Sequence, residues 1–412
     1  SDPTDEEIDA PEGVEGDLSG PLLSDNWNKN IGLGGGAVGG EGPGGRKGGK
    51  GRLQIPGNPE MMRALDWLAI HQDVDTDGKW DCDNFMKHDP ADDKCDGAGK
   101  SLYDTGVTGL ALLAFLGAGH TDRGTAVSNP FRKNVRGALN YLMKSQHEDG
   151  FFGSKASHAA IYNHAIATLA MCEAYWMTRN VRYKKPAQEG LNFLAMARNP
   201  YGAWRYEPRG GENDTSVTGW AVMALKSGKF AGLEVDPDAF EGARSWIDKM
   251  TDPNFGQVGY NFPGGPCARP EGLQARFPAE KSQAMTAAGV LSRIFLGEDP
   301  RSSDMIKKGA QLLAETPPTW NPDDGSIDMY YWYYGTLAMF QVGGSSWKKW
   351  SQSMSDAMVE TQHPKGAGAR YGSWDPIGCW GDDGGRVYST AVMAMCLQVY
   401  YRYPRVFGGG TR

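Results

Sequence analysis

The stretch "NDTSVTGWAVMALKSG" (Asn213–Gly228) and its counterpart "YDTGVTGLALLAFLGAG" (Tyr103–Gly119) decide how this chain folds. In both, apolar residues recur three and four positions apart, and they cover nearly the whole circumference of a helix. A helix of this kind is stable only when it is surrounded by other protein. Both stretches are therefore predicted to be inner helices of one large repeating unit.

Four further stretches have the same character: "YNHAIATLAMCEAYWM", "KSQAMTAAGVLSRIFLG", "MYYWYYGTLAMFQVGG" and "VYSTAVMAMCLQVYYRY". Each of the six follows a shorter pattern with one apolar face, such as "RALDWLAIHQ" or "RGALNYLMKSQ", which ends in a turn rich in Gly and aromatic residues. A one-faced helix is suited to cover a buried one. The alternation predicts an all-α (α/α)6 toroid of six inner and six outer helices, because ring closure covers every apolar face.

These units share the form Gly-x-x-Phe/Leu-Leu, then Gln, then Asp-Gly-x-Trp, then an apolar helix. They resemble the repeats of terpenoid cyclases and of protein prenyltransferase β subunits. The chain is most similar to the single-toroid prenyltransferase/squalene oxidase repeat proteins that are common in planctomycetes. The resemblance covers residues 53–407 and implies the toroid fold. It indicates function only weakly, because the same fold carries several chemistries and binding roles.

Residues 1–52 differ from the rest in composition. The segment "SDPTDEEIDAPEGVEGD" is acidic, and "GLGGGAVGGEGPGGRKGGKG" is rich in glycine. Such a region is expected to be either a flexible tether or a disordered tail, and residues 408–412 a short second tail. The chain begins at Ser1, so a membrane anchor is expected only upstream of it. The net charge of −8 disfavours a nucleic-acid partner.

The run "GENDT" (Gly211–Thr215) corresponds to the Asp-x-Asp-Asp-Thr motif of squalene–hopene-type cyclases, whose central aspartate protonates the substrate. Asn213 stands at the central position, and an amide has no proton to donate at usable pH. Glu212 and Asp214 remain as candidates for an acid or base. Asp214 directly precedes the helical pattern, where an aspartate is expected to cap the helix instead.

Zinc-dependent protein prenyltransferases hold their metal with an Asp-x-Cys pair and a histidine. In this sequence Asp328 keeps the aspartate, Tyr330 replaces the cysteine, and Ser389 stands where the histidine belongs. One ligand of three does not hold a catalytic zinc ion, so no such site is expected.

The N-termini of the inner helices are expected to meet at one mouth of the toroid. Aligning the repeats places there Tyr103, Asp104, Tyr162, Asn163, Asn213, Lys281, Ser282, Tyr330, Tyr331, Tyr388 and Ser389. Aromatic rings with polar tips suit a glycan, peptide or lipid ligand. His164 lies in the same region and is a further acid/base candidate, because imidazole titrates near neutral pH.

The loop "DVDTDGKWDCDN" (Asp73–Asn84) has the ligand spacing of an EF-hand calcium loop. Carboxylates or a main-chain carbonyl are available at Asp73, Asp75, Asp77, Lys79 and Asp81. Asn84 takes the place of the glutamate that normally ends such a loop. The segment is expected either to hold a structural Ca²⁺ or to be a solvated acidic loop. The four cysteines in loops are predicted to form two disulfides, Cys82–Cys95 and Cys267–Cys379, which implies an extracytoplasmic location.

Together these features predict an extracytoplasmic binding or scaffold protein with a central cavity lined by Tyr and Asn. The alternative is an enzyme that acts on isoprenoids or polysaccharides, with Asp214, Glu212 or His164 as the acid or base. A third alternative is a structural module of a larger protein assembly. An enzyme should show a pocket beside a carboxylate or histidine of strongly shifted pKa. A terpenoid enzyme also needs a nearly dry cavity.

Overall fold

The computed structural model describes residues 59–156, 159–200 and 202–399, and these residues form α-helices, short 3-10 turns and loops without a β-strand. The predicted tails at 1–52 and 408–412 lie outside the described residues. Twelve α-helices follow one another: α1 (Pro59–Ile70), α2 (Asp104–Gly117), α3 (Arg132–Ser145), α4 (Ala160–Thr178), α5 (Val181–Ala197), α6 (Thr215–Phe230), α7 (Pro237–Met250), α8 (Ala284–Phe295), α9 (Asp304–Glu315), α10 (Met329–Val342), α11 (Gly344–Val359) and α12 (Gly381–Leu397).

The even-numbered helices form an inner ring and the odd-numbered helices an outer one. All fourteen residues of α2 are buried, whereas α3 buries only Asn134, Val135, Ala138, Leu139 and Leu142, which lie on one face. Each inner helix packs on the next, and α12 packs on α2, so the ring closes. The outer helix α1 packs mainly on α12 and completes the outer layer. The predicted (α/α)6 toroid is confirmed.

In three of the repeats a tryptophan connects an outer helix to the inner helix that follows it. The main-chain N–H of Trp80 donates to Thr108 Oγ1 in α2 (3.0 Å), and its indole N–H donates to Leu68 O in α1 (2.8 Å). Trp204 and Trp374 make the same two kinds of contact in their own repeats. The Gly-x-Trp part of the repeat signature therefore has a structural role, because it satisfies buried polar groups where the chain turns inward.

Arg386 of α12 connects the last inner helix to the segment that leads into the first. Its side chain is 1% exposed and donates to Asp96 Oδ1, to Asp375 Oδ1 (2.7 Å) and to Ser373 Oγ (3.1 Å). Its main-chain N–H donates to Gly97 O (2.8 Å). These contacts join two parts of the chain that are nearly 300 residues apart, so they hold the ring shut.

The two predicted disulfides are absent from the structure, in which all six cysteines are free thiols. Cys95 Sγ lies against His71 Nε2 (3.9 Å), and Cys267 Sγ donates to Ser282 O (3.3 Å). Burial raises the pKa of Cys82 well above that of an ordinary thiol. The argument from disulfides for an extracytoplasmic location therefore falls away, and that location stays a prediction. Within the described ranges, no helix has the length and apolar character needed to cross a bilayer.

Replacing Arg386 by Gln should lower the free energy of unfolding by about 3 kcal/mol, because a buried charged donor loses several partners. Urea denaturation followed by circular dichroism measures the change. The matched control is Arg301→Gln, which alters an exposed pair with Asp299 and should cost less than about 1 kcal/mol. Equal effects of the two substitutions would contradict a special role of Arg386 in ring closure.

Candidate functional site

A cavity of about 280 Å³ lies where the N-termini of the six inner helices meet. All six contribute to its wall, together with the turns that precede them. The wall is mostly apolar and unusually aromatic, with Tyr103, Tyr162, Tyr206, Tyr260, Tyr330, Tyr388, Trp220 and Trp380. The shared mouth expected from the alignment of the repeats is thus present in the fold.

Five of the residues predicted for this mouth line the cavity, and they are Tyr103, Tyr162, Asn163, Tyr330 and Tyr388. Burial raises the pKa values of the four tyrosines, so their phenols stay protonated at physiological pH. They present aromatic surface with a neutral hydroxyl at its edge.

Other predicted residues point away from the cavity into the packing between helices. Tyr331 donates to Thr316 O (2.7 Å), and Ser389 donates to Trp374 O (2.7 Å). Asp104 accepts from Lys79 Nζ (2.7 Å). Tyr331 lies about 100° from Tyr330 around the helix axis, and of these two residues Tyr330 lines the cavity.

Lys281 and Ser282 are also absent from the cavity wall and make contacts within the protein instead. Lys281 Nζ donates to Asp324 O (2.5 Å), and Ser282 Oγ donates to Asp328 Oδ2 (2.8 Å). The other oxygen of Asp328 caps α10 by accepting from the N–H of Tyr331 (3.1 Å). Asp328 therefore has a structural place in the fold.

Asn213 and Glu212 of the cyclase-like run lie outside the cavity wall. Asn213 Oδ1 accepts from Asn199 Nδ2 (2.8 Å) and from the N–H of Ala203 (2.9 Å), and so it holds the preceding turn. Glu212 is largely exposed and pairs with Arg205 Nη1 (2.7 Å). Neither side chain is positioned to donate a proton into the cavity.

His164 is fully buried behind the wall, and both of its ring nitrogens are used by the main chain. Nδ1 accepts from the N–H of Phe152 (3.0 Å), and Nε2–H donates to Gly190 O (3.1 Å). Burial lowers the pKa of His164 to about 3. His164 thus does in its repeat what Thr108 does in another, and the structure does not support the predicted acid/base role.

Asp214 is a buried carboxylate that is linked to the cavity wall by its hydrogen bond with Tyr260. Oδ1 caps α6 by accepting from the N–H of Val217 (2.7 Å), as the sequence predicts. Oδ2 accepts from the hydroxyl of Tyr260 (3.2 Å), and Tyr260 is hydrogen-bonded to Tyr206. Burial raises the pKa of Asp214 to about 7, although Arg205 Nε lies 3.8 Å from Oδ2 and favours the ionised form.

Tyr206 and Tyr260 were not among the predicted site residues. In the turns before α6 and α8, the N–H groups of Trp204 and Val258 each donate to a threonine of the inner helix that follows. Tyr206 and Tyr260 lie two residues after these donors. Aligning the turns as well as the helices would have indicated them. Trp220, Arg269 and Trp380 also line the cavity and were missed.

The predicted calcium ligands do not converge on one point. Asp73 is buried and pairs with Lys87 Nζ (2.6 Å) and His88 Nε2 (2.7 Å). Asp75 and Asp77 are exposed, and Asp77 Oδ1 accepts a hydrogen bond from the N–H of Lys79 in the same turn (3.0 Å). Asp81 instead lies beside Asp83 and Asp104. Calcium binding by this loop stays a prediction.

The fold is shared with solved toroid proteins at low sequence identity. The chain is similar to the GH76A α-1,6-mannanase from Salegentibacter sp. HEL1_6 (13% identity, TM-score 0.54, 82% of this chain and 98% of that chain). It is also similar to the type II terpene cyclase MstE from Scytonema (12%, 0.52, 82% and 96%) and to the cellobiose 2-epimerase from Bacillus thermoamylovorans B4167 (13%, 0.53, 82% and 96%). No protein-family model and no curated protein matches it. These similarities establish the toroid fold and nothing finer.

The raised pKa of Asp214 should make the protein less stable as the pH rises. The folded state holds this proton more tightly than the unfolded chain, so its contribution is complete below the ordinary value of 3.8 and is lost as the pH rises through about 7. Between pH 5 and 8 the wild type should lose about 2–3 kcal/mol relative to Asp214→Asn. Urea unfolding at several pH values measures this difference.

The control for this experiment is Glu212→Gln, which removes an exposed carboxylate two residues away. Its stability should follow the wild-type pH dependence. A wild-type profile parallel to that of Asp214→Asn would show that Asp214 titrates normally.

Proposed function

We propose that the central cavity binds a small, largely apolar molecule of the isoprenoid or lipid-like class. The observation that carries the proposal is the mostly apolar, aromatic wall formed by the starts of all six inner helices. A volume of about 280 Å³ is close to the lower end of the range for small-molecule sites. The resemblance of the repeats to those of prenyltransferase/squalene oxidase repeat proteins supports the same ligand class.

Several polar groups at the cavity already have partners within the protein, whereas the indole N–H of Trp380 has none among the described residues. Ser216 Oγ and Tyr330 OH bond to each other (2.6 Å), and Tyr206 and Tyr260 form a second hydroxyl pair. Arg269 directs its donors to Phe277 O (3.0 Å), to Ala268 O and to Asp328. A glycan needs many unmatched donors and acceptors, so this wall favours an apolar ligand over a sugar chain.

Carboxylates are also scarce at the wall. Among the described residues that line the cavity, Asp383 is the one carboxylate, and it pairs with Lys100 Nζ (2.6 Å). Glycoside hydrolysis usually requires two carboxyl groups on either side of the scissile bond. The site therefore supports binding of an isoprenoid better than cleavage of a polysaccharide.

Filling the cavity should abolish binding without unfolding the toroid. Ala268 lines the cavity from a loop, so Ala268→Trp places a large ring in the ligand volume. We expect the affinity for farnesol to fall at least tenfold, or about 1.4 kcal/mol. Quenching of tryptophan fluorescence, with isothermal titration calorimetry, measures the affinity.

The control is Ala91→Trp, which adds the same ring at an exposed position. It should bind farnesol as the wild type does. Binding of a mannose or glucose oligosaccharide in place of farnesol, or equal affinities of both variants, would contradict the proposal.

A second candidate function is acid–base catalysis on a bound ketone, and the contact between Asp214 and Tyr260 favours it. A carboxyl group whose pKa is about 7 is matched to proton transfer at neutral pH. In this scheme Tyr260 gives its proton to the ketone oxygen and takes one from Asp214, while a solvent water molecule removes the proton from the carbon next to the carbonyl. The product is the enol, and the water returns a proton to Asp214. An isolated alkene requires a much stronger acid, so a carbonyl ligand fits this group better.

Deuterium exchange tests this second candidate. In D₂O the protein should accelerate exchange at the carbons next to the carbonyl of geranylacetone, as read by mass spectrometry. Asp214→Asn and Tyr260→Phe should each slow the exchange by about 10²–10⁴-fold, the usual value of one positioned proton-transfer group. Glu212→Gln should keep the wild-type rate. Exchange no faster than in buffer would leave the cavity as a binding site only.

A further inference from the structure

A second group of reactive side chains lies at the C-terminal end of α1, next to the calcium-like loop. His71 follows the last residue of α1, Asp89 follows the 3-10 turn Phe85–His88, and Cys95 precedes α2. His71 Nε2 is 2.7 Å from Asp89 Oδ1 and 3.9 Å from Cys95 Sγ. The side chains of His71 and Asp89 are only 1% and 2% exposed, and Cys95 is also buried.

The hydrogen bond on the other side of the imidazole fixes its tautomer. His71 Nδ1 is 2.7 Å from Trp67 O, and a carbonyl oxygen only accepts, so Nδ1 carries the proton. In the neutral ring, Nε2 then presents a lone pair to the Asp89 carboxylate and to the Cys95 sulfur. Two acceptors at this distance need a proton or a metal cation between them, and the Cys95 sulfur beside the same nitrogen gives a metal cation its third ligand.

We propose that His71, Asp89 and Cys95 form a binding site for a divalent transition-metal ion of the zinc class. Imidazole nitrogen, carboxylate oxygen and thiolate sulfur are the donors that zinc takes in proteins. The three ligand atoms all lie within 4.8 Å of one another. Solvent supplies the remaining ligand.

The surroundings have the features of a metal site's supporting shell. A metal-binding histidine usually donates its second ring N–H to a main-chain carbonyl, as His71 does to Trp67. Its ring stacks on the Trp67 indole at 4.0 Å, which fixes its orientation. Asp89 Oδ2 accepts from the N–H of Cys95 (2.8 Å), so the carboxylate is also held in place.

The arrangement does not match a cysteine protease-like triad. In such a triad the acid and the thiol contact opposite nitrogens of the imidazole. Here Asp89 and Cys95 approach the same nitrogen, and the main chain occupies the other. A carboxylate, a thiol and an imidazole lone pair that converge on one point are suited to bind a cation.

A metal ion at this place would reinforce ring closure. Cys95 is adjacent to Asp96, which pairs with Arg386 of α12, and His71 directly follows α1. The ion would therefore connect α1 to the segment that leads into α2, which Arg386 of α12 also binds. Its role is structural, and it does not depend on what the central cavity binds.

The test is metal binding by the full chain after removal of metals with a chelator. Titration with Co²⁺ should give a thiolate-to-cobalt charge-transfer band that saturates at one ion per chain, and Zn²⁺ should displace it. Cys95→Ala should lose the band and weaken Zn²⁺ binding by at least about tenfold, since supporting-shell changes alone cost that much. The control Cys172→Ala removes another buried thiol and should keep the band.

A second variant separates the metal site from a simple His–Asp ion pair. If a metal is bound, Asp89→Asn should lower the melting temperature much more in the presence of Zn²⁺ than in the presence of chelator. An ion pair without metal would give the same loss in both conditions. That outcome, or a wild-type chain that gives no stoichiometric Co²⁺ band, would overturn the proposal.

Discussion

Burial of the inner helices is the constraint on which this structure depends. A helix such as α2, buried along its whole length, has no face that tolerates water, so each inner helix needs neighbours on every side. A row of helix pairs would leave its two ends uncovered. Packing of α12 on α2 and of α1 on α12 removes both ends. The buried Arg386 network supplies the polar contacts that specify this closure.

The fold was predictable because its signal is repeated six times in the sequence. Apolar residues at helical spacing fix the positions of the helices, and the difference between one-faced and all-round patterns separates outer helices from inner ones. The role of His164 was harder to predict. It accepts a turn N–H at the position where other repeats have threonine, and only an alignment of the turns shows this equivalence. A residue that looked chemically exceptional thus has the same structural task as a threonine.

The cavity was predictable in part, for a geometric reason. The sequence locates the start of each inner helix. It does not fix the rotation of the helix about its own axis, and a rotation of about 100° decides whether Tyr330 or Tyr331 faces the cavity. The turns contribute Tyr260, whose position depends on loop conformation. The acidic loop illustrates the same limit, because Lys87 and His88 contact the Asp73 carboxylate from a 3-10 turn that follows the motif. The spacing of a sequence motif identifies the carboxylates that are available to a metal ion. It does not identify the side chains elsewhere in the chain that bind the same carboxylates.

Asp214 shows why capping and acid–base chemistry need not be alternatives. A cap uses one carboxylate oxygen, and Oδ1 meets that need through Val217. Oδ2 faces the pair of tyrosines instead, in surroundings that favour the protonated form. When Asp214 is ionised, Tyr260 donates to it. When Asp214 is protonated, the same hydrogen bond can run in reverse, because a phenol both donates and accepts. The chain from Asp214 through Tyr260 to Tyr206 can therefore change direction without moving a heavy atom, which is the property that a proton relay to the cavity requires.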